Sequence, residues 1–208
     1  MSRERDESRR DPGGLAQLPL AFDRPGPPMA ATWRDVLYFA LLPDAEAIAR
    51  ISRLELGLRR RLGRTWRPCA PARLHLSLLG VAAGPFARAT VLAAASRIAA
   101  AVAFPPFEVV LTGAASFGGG SVVLGCSEGS AAALTGLHDR LKDAGEDLGL
   151  RLGARAFTPH LTVAYDEVPI PETMLDPPIA WSAREIVLVS SEQGRGRHTH
   201  LGRWPLVA

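Results

Sequence analysis

The sequence has little lysine, cysteine or long apolar stretch, and the last two shortages each close off a class of function. Of its 24 basic residues only Lys142 is a lysine. With abundant Ala and Gly this reads as a GC-rich coding bias, so the ratio itself carries no functional argument. The two cysteines, Cys69 and Cys126, form no CxxC pair and are too few for a disulfide framework. A reducing, cytoplasmic setting is expected. The best apolar run, Ile98 to Phe107, is short and broken by Pro105 and Pro106, so neither a membrane span nor a membrane partner is expected. The N-terminal stretch is charged and lacks the apolar segment of a signal peptide. Gly118-Gly119-Gly120 has no following Lys-Ser/Thr and reads as a hairpin turn, which excludes a P-loop. Net charge is +3, which permits an anionic partner without requiring one. At 208 residues, 47% apolar and 22% charged, the chain suffices for one well-cored domain or two small lobes with a shared interface.

Residues 1–32 are polar at first and then rich in Pro and Gly, the composition of a disordered tail. The domain is expected over 33–208. Asp35 to Leu42 reads as a buried strand stopped by Pro43. Asp44 opens a helix whose core face is Ile48, Ile51, Leu54, Leu58 and Leu62. The end of that helix carries Arg59, Arg60, Arg61, Arg64 and Arg67 with no acid among them, either a solvated face or a rim that attracts phosphate. A strand from Arg73 to Gly80, a helix from Pro85 to Val102, strands at Phe107–Leu111 and Ser121–Cys126, and a helix from Ser130 to Leu148 stopped by Gly149 follow. A strand from Pro159 to Tyr165, a proline-rich connection through Pro178, a strand from Trp181 to Ser191 and a last strand near Arg197–Leu206 complete an α+β pattern.

Two stretches carry chemistry. In Leu74-His75-Leu76-Ser77-Leu78, His75 and Ser77 share one face of a strand and the leucines share the other. In His160-Leu161-Thr162-Val163 the arrangement returns 85 residues later. Two histidines that face each other can divide acid and base roles near neutral pH, because an unperturbed imidazole has a pKa of about 6.5. A hydroxyl one strand step from each, Ser77 and Thr162, can donate to anionic oxygens such as those of a phosphate. Nothing in this set needs a metal or a cofactor. A lone His in an apolar strand is usually structural, and His138, beside the apolar stripe of its helix, is read that way. His198 and His200 alternate on one strand face, but carboxylates and cysteines at ligand spacing are missing, so no metal site is assigned.

The pair His75-Leu76-Ser77 and His160-Leu161-Thr162 resembles the two H-x-[ST] signatures of the 2H phosphoesterases. The likeness is greatest to the RNA 2′,3′-cyclic phosphodiesterases also called 2′-5′ RNA ligases. Leu37 to Pro43, the Phe157-x-Pro159-His160-x-Thr162 context and Gly202 to Leu206 add to it. The resemblance covers residue 35 to the end. It implies a bilobal fold of two pseudo-symmetric lobes, with antiparallel sheets facing a central cleft and helices outside. It also implies hydrolysis of 2′,3′-cyclic phosphate ends to 2′-phosphomonoesters, with reversible 2′-5′ joining as a side activity. His160 then activates water and His75 protonates the departing 3′ oxygen, or the reverse. Ser77 and Thr162 hold the phosphate, and Arg155 matches an arginine often found before the second motif. Phe39 and Phe157 are candidates for lining the cleft or stacking a base, but aromatics in such strands are more often core, and core packing is the favoured assignment. Tyr165 and Thr158 depart from the family pattern, since several relatives have Arg at the first and a basic residue at the second. The expected partners are RNA ends or nucleotides bearing a cyclic phosphate, and the expected state is a monomer. Two other readings remain: a non-catalytic RNA- or nucleotide-binding module, and a phosphoesterase for a small cyclic phosphate.

Overall fold

The computed structural model describes residues 35–83, 88–117, 120–150, 152, 156–192 and 195–208. The tail expected over 1–32 lies outside them. The first strand, β1 (Asp35–Leu41), alternates strictly: Leu37, Phe39 and Leu41 join the main core, whereas Val36, Tyr38 and Ala40 face the other way with Val187 and Val189. Helix α1 (Ala45–Arg61) follows, its first turn capped by Asp44, whose carboxylate accepts the Ala47 N–H at 2.8 Å. After the two-residue β2 (Arg67–Pro68) and a 3₁₀ turn over Pro71–Arg73, β3 runs Leu76–Ala83. His75 therefore sits immediately before this strand and not within it, because Pro71 winds the preceding residues into a turn.

Helix α2 (Arg88–Ala101) leads to β4 (Phe107–Phe117) and β5 (Ser121–Cys126). β4 continues six residues past its expected end at Leu111, with a register break between Leu111 and Gly113 that absorbs the small residues. Helix α3 (Glu128–Asp147) is capped by Ser127 and ends where Gly149 turns to φ +78, a left-handed conformation that costs glycine little. Then come β6 (His160–Tyr165), β7 (Thr173–Ala183), β8 (Glu185–Glu192) and β9 (Arg197–Pro205). The proline-rich connection is thus part of a strand. Pro177 and Pro178 are tolerated because β7 slips its register against β4 between Met174 and Ile179, which leaves the stretch between them without paired partners. The expected strand Trp181–Ser191 is two strands, broken at Arg184.

One nine-stranded antiparallel sheet results, ordered β7-β4-β5-β6-β3-β1-β8-β9, with β2 beside β6. Its two four-stranded halves join through a single residue pair between β3 and β6, Leu76 opposite Leu161. Arg184 alone links β7 at one edge to β8 near the other. In a flat sheet those strands would stand about 29 Å apart at ~4.8 Å per neighbour, while two peptide units reach only ~7 Å. The sheet is therefore rolled. One face packs on the three helices in a continuous core, and the other is concave.

Candidate active site

His75, Ser77, His160 and Thr162 lie on the concave face, because Leu76, Leu161 and Val163 take the alternate positions in the core. Each histidine is aimed by the same local device. His75 Nδ1–H donates to the carbonyl of Arg73 at 2.7 Å, and His160 Nδ1–H donates to that of Thr158 at 2.8 Å. In the neutral rings this fixes the proton on Nδ1 and leaves Nε2 as the reactive nitrogen. His75 Nε2 is 3.0 Å from Ser77 Oγ, so the hydroxyl donates to it when the ring is neutral.

The walls around the two rings differ. His75 stands 5.1 Å from the Tyr38 ring, and the edge of His198 meets it at 5.2 Å. Burial, opposed by the Arg73 carbonyl and reinforced by the nearby Arg73, His160 and His200 charges, holds His75 down at about 4. Burial and then the His75 and Arg73 charges hold His198 down at about 4 as well. Burial also raises the Tyr38 phenol, so it stays protonated. His160 instead has Phe117 as its ring neighbour, 4.6 Å away and tilted by 36°.

The structure moves several expected residues. Phe39 is 0% exposed and meets Trp204 edge-on in the core, out of reach of any base. Phe157 is half-buried against the core, and one face of its ring is covered by His138, stacked at 4.5 Å and 4°. His138 thereby has a structural partner. Arg155 lies outside the described residues. His198 is part of the wall around His75, a place its pairing with His200 on a sequence strand did not suggest. Tyr38, buried against the His75 ring, and Phe117, beside His160, are neighbours of the motif histidines that the sequence reading left aside. A signal existed for Tyr38, which occupies the opposite parity from Leu37 and Leu41.

Of the basic rim, Arg59 pairs with Glu55 at 3.5 Å and Arg64 with Asp166 at 3.9 Å, while the Arg67 guanidinium lies over Tyr165 at 5.1 Å. A groove of about 460 Å³ on the helix side, between α1 and β7, is lined by Arg50, Arg53 and Arg61 and holds none of the motif residues. Among the described residues, no three His, Cys, Asp or Glu side chains converge as metal ligands. No helix among them is long and apolar enough to cross a membrane.

Comparison with known proteins agrees with this arrangement. Residues 33–195 match the family model of the 2′-5′ RNA ligase superfamily. No curated protein matches the sequence. Among solved structures, Escherichia coli LigT in its apo form is 25% identical at a TM-score of 0.68, over 85% of this chain and 100% of that one. A structure described as a phosphoesterase is 26% identical at a TM-score of 0.68, covering 84% of this chain and 99% of its own. The TT0787 protein of Thermus thermophilus, 23% identical at a TM-score of 0.66 over 82% and 97% of the two chains, shares the fold. With a matched family model spanning most of its length and a fold shared with LigT, the chain belongs to the 2′-5′ RNA ligase superfamily of 2H phosphoesterases.

Proposed function

We propose that this protein is a 2′,3′-cyclic phosphodiesterase that opens the cyclic phosphate at RNA or nucleotide ends to a 2′-phosphomonoester. The observation that carries the reading is the repeated device: a histidine whose Nδ1 is tied to the carbonyl two residues earlier, with a hydroxyl two residues later on the same face. Pure binding needs no such pair of oriented titratable rings. E. coli LigT has been solved with ATP and with NADP⁺, which supports a nucleotide in the cleft.

In the reaction one imidazole takes a proton from water as its oxygen attacks phosphorus. The P–O3′ bond breaks, and the other imidazole gives its proton to O3′. Ser77 and Thr162 donate to the non-bridging oxygens, where negative charge builds. The family pattern makes His160 the base and His75 the acid. The depression of His75 to about 4 favours the reverse in the free enzyme, since a ring that is neutral at pH 7 is ready to accept a proton. Were His75 the acid, the anionic substrate would first have to draw a proton onto it. Phe117, beside His160, replaces Phe39 and Phe157 as the aromatic placed to contact the nucleoside. A cytoplasmic monomer without cofactor suits this activity.

The test is incubation with a 2′,3′-cyclic mononucleotide and a cyclic-phosphate-ended oligomer in ¹⁸O water and excess EDTA, followed by ³¹P NMR. A 2′-phosphomonoester with one ¹⁸O on phosphorus is expected from both. No turnover of either would leave the binding-module reading. Turnover of the mononucleotide alone would favour the small cyclic phosphate, and loss in EDTA restored by zinc or manganese would sink the metal-free mechanism.

A further inference from the structure

The concave face contains a cation whose Nε–H has no partner among the described residues. Arg73 precedes His75 by two residues, and its carbonyl orients that ring. Its Nε is buried and has no hydrogen-bond partner, and among the described residues no carboxylate forms an ion pair with it. The guanidinium is nevertheless held in place. The turn between β8 and β9 closes over it at Gly196, which adopts φ +61, and a Cβ there would stand 3.1 Å from Arg73 Nη1. Any side chain at that position would press on the cation.

Arg73 lies within electrostatic reach of Tyr38, Cys69, His75, Tyr165 and His198, which surround one end of the cleft. The acid that acts on the same neighbourhood, through Cys69, is Glu55. Glu55 is already taken by Trp66 Nε1 at 2.5 Å and by Arg59 at 3.5 Å. The Nε–H of Arg73 is a buried donor without a partner, which calls for an explanation. With His75 and His198 neutral at pH 7, the permanent positive charges in this neighbourhood are Arg73 and Arg67, and Arg67 lies over the Tyr165 ring. The position of Arg73 beside His75 suits an anion entering from the cleft.

We propose that Arg73 is the charged ligand of the substrate's phosphate, held ready by the Gly196 turn and acting beside Ser77 and Thr162. The inference rests on the cyclic-phosphate reading for its substrate, but phosphate binding tests it without turnover. Inorganic phosphate is titrated into the ¹⁵N-labelled full chain, with the imidazole and arginine Nε–H signals followed by NMR. Arg73→Gln should weaken phosphate binding at least about tenfold, as expected for loss of a charge-assisted hydrogen bond. Arg73→Lys should lose less. The free-protein titration of His75 should move up in Arg73→Gln, because a neighbouring cation is gone, an effect that a purely structural role for Arg73 does not produce. Should the Gln variant fail to fold, the wild-type Arg73 Nε–H signal, identified by its absence in Arg73→Lys, should still shift on adding phosphate. Wild-type affinity in folded Arg73→Gln, an unmoved Arg73 signal, or no phosphate binding by the wild type overturns the proposal. Phosphate binding through Arg73 in a protein that opens no cyclic phosphate would uphold it while removing the proposed reaction.

Discussion

His75 and His160 occupy matching places at the starts of β3 and β6, yet their surroundings have diverged. The His75 half packs its ring against Tyr38 and His198, ties Nε2 to Ser77 and sets Arg73 alongside. Among the described residues, the His160 half offers Phe117 alone as a ring neighbour. Two copies of one motif thus share their aiming device and differ in electrostatics: crowding by cations and loss of water keep His75 neutral. The unequal walls bias the pair, because burial holds the His75 ring neutral at pH 7 and so ready to accept a proton.

The strongest way to test that division is to remove each ring. His75→Ala and His160→Ala should each lower kcat on a cyclic phosphate by ~10²–10⁴-fold, the usual contribution of general acid or base catalysis. The double variant should lose less than the product of the two, because both act in one displacement. Wild-type rates in both folded single variants would end the paired-histidine reading.

A second test uses stability against pH. His75 and His198 sit at about 4 in the folded protein against an ordinary 6.5. The unfolded chain therefore binds protons first as pH falls. Their contribution is fully present above 6.5 and is lost as pH drops from 6.5 through 4. A shift of this size corresponds to on the order of 3 kcal/mol for the buried His75; the partly exposed His198 contributes less because solvent screens it, and the two do not add because each repels the other. Urea melts at intervals between about pH 7 and 4 should show this fall, and His198→Ala should flatten it. A slope unchanged by that substitution would mean the two rings are not coupled.

Removing the hydroxyls should have a smaller effect. Ser77→Ala and Thr162→Ala should each reduce kcat/KM by about tenfold, near ~1.4 kcal/mol for one donor to the phosphate. Ser77→Ala should also shift the pH profile, since Ser77 contacts His75 Nε2 at 3.0 Å. Equal, pH-independent losses would erase the contrast between the halves. The smallest effect is expected from deleting residues 1–32, which should leave the melting temperature and turnover nearly unchanged. A large fall in either would make Leu18–Phe22 part of the fold or the cleft.

The α+β class and the helices were legible because apolar spacing, Asp44 and Gly149 mark them directly. The histidine motifs were legible because alternation places His75 and Ser77, or His160 and Thr162, opposite a leucine row. The contacts of Tyr38, His198 and Phe117 were not. They span strands that come together only through the curl of the sheet, and period-two alternation says nothing about curl. Core packing, the assignment favoured over stacking for Phe39, holds because Phe39 shares parity with the core residues Leu37 and Leu41. β7 was hidden by prolines that only a break in its pairing with β4 excuses, and Arg73 by the turn that carries it out of the strand.

The strand order also sets a sequence of assembly. β1 lies between β3 and β8, and β8 begins only at Glu185. The first strand of the fold thus waits for some of the last residues to be made before its second edge is covered. Pairings so distant along the chain close slowly. During synthesis on the ribosome, Val36, Tyr38 and Ala40 lack their Val187 and Val189 neighbours until the C-terminal hairpin emerges, so the wall around His75 is completed among the last parts of the molecule.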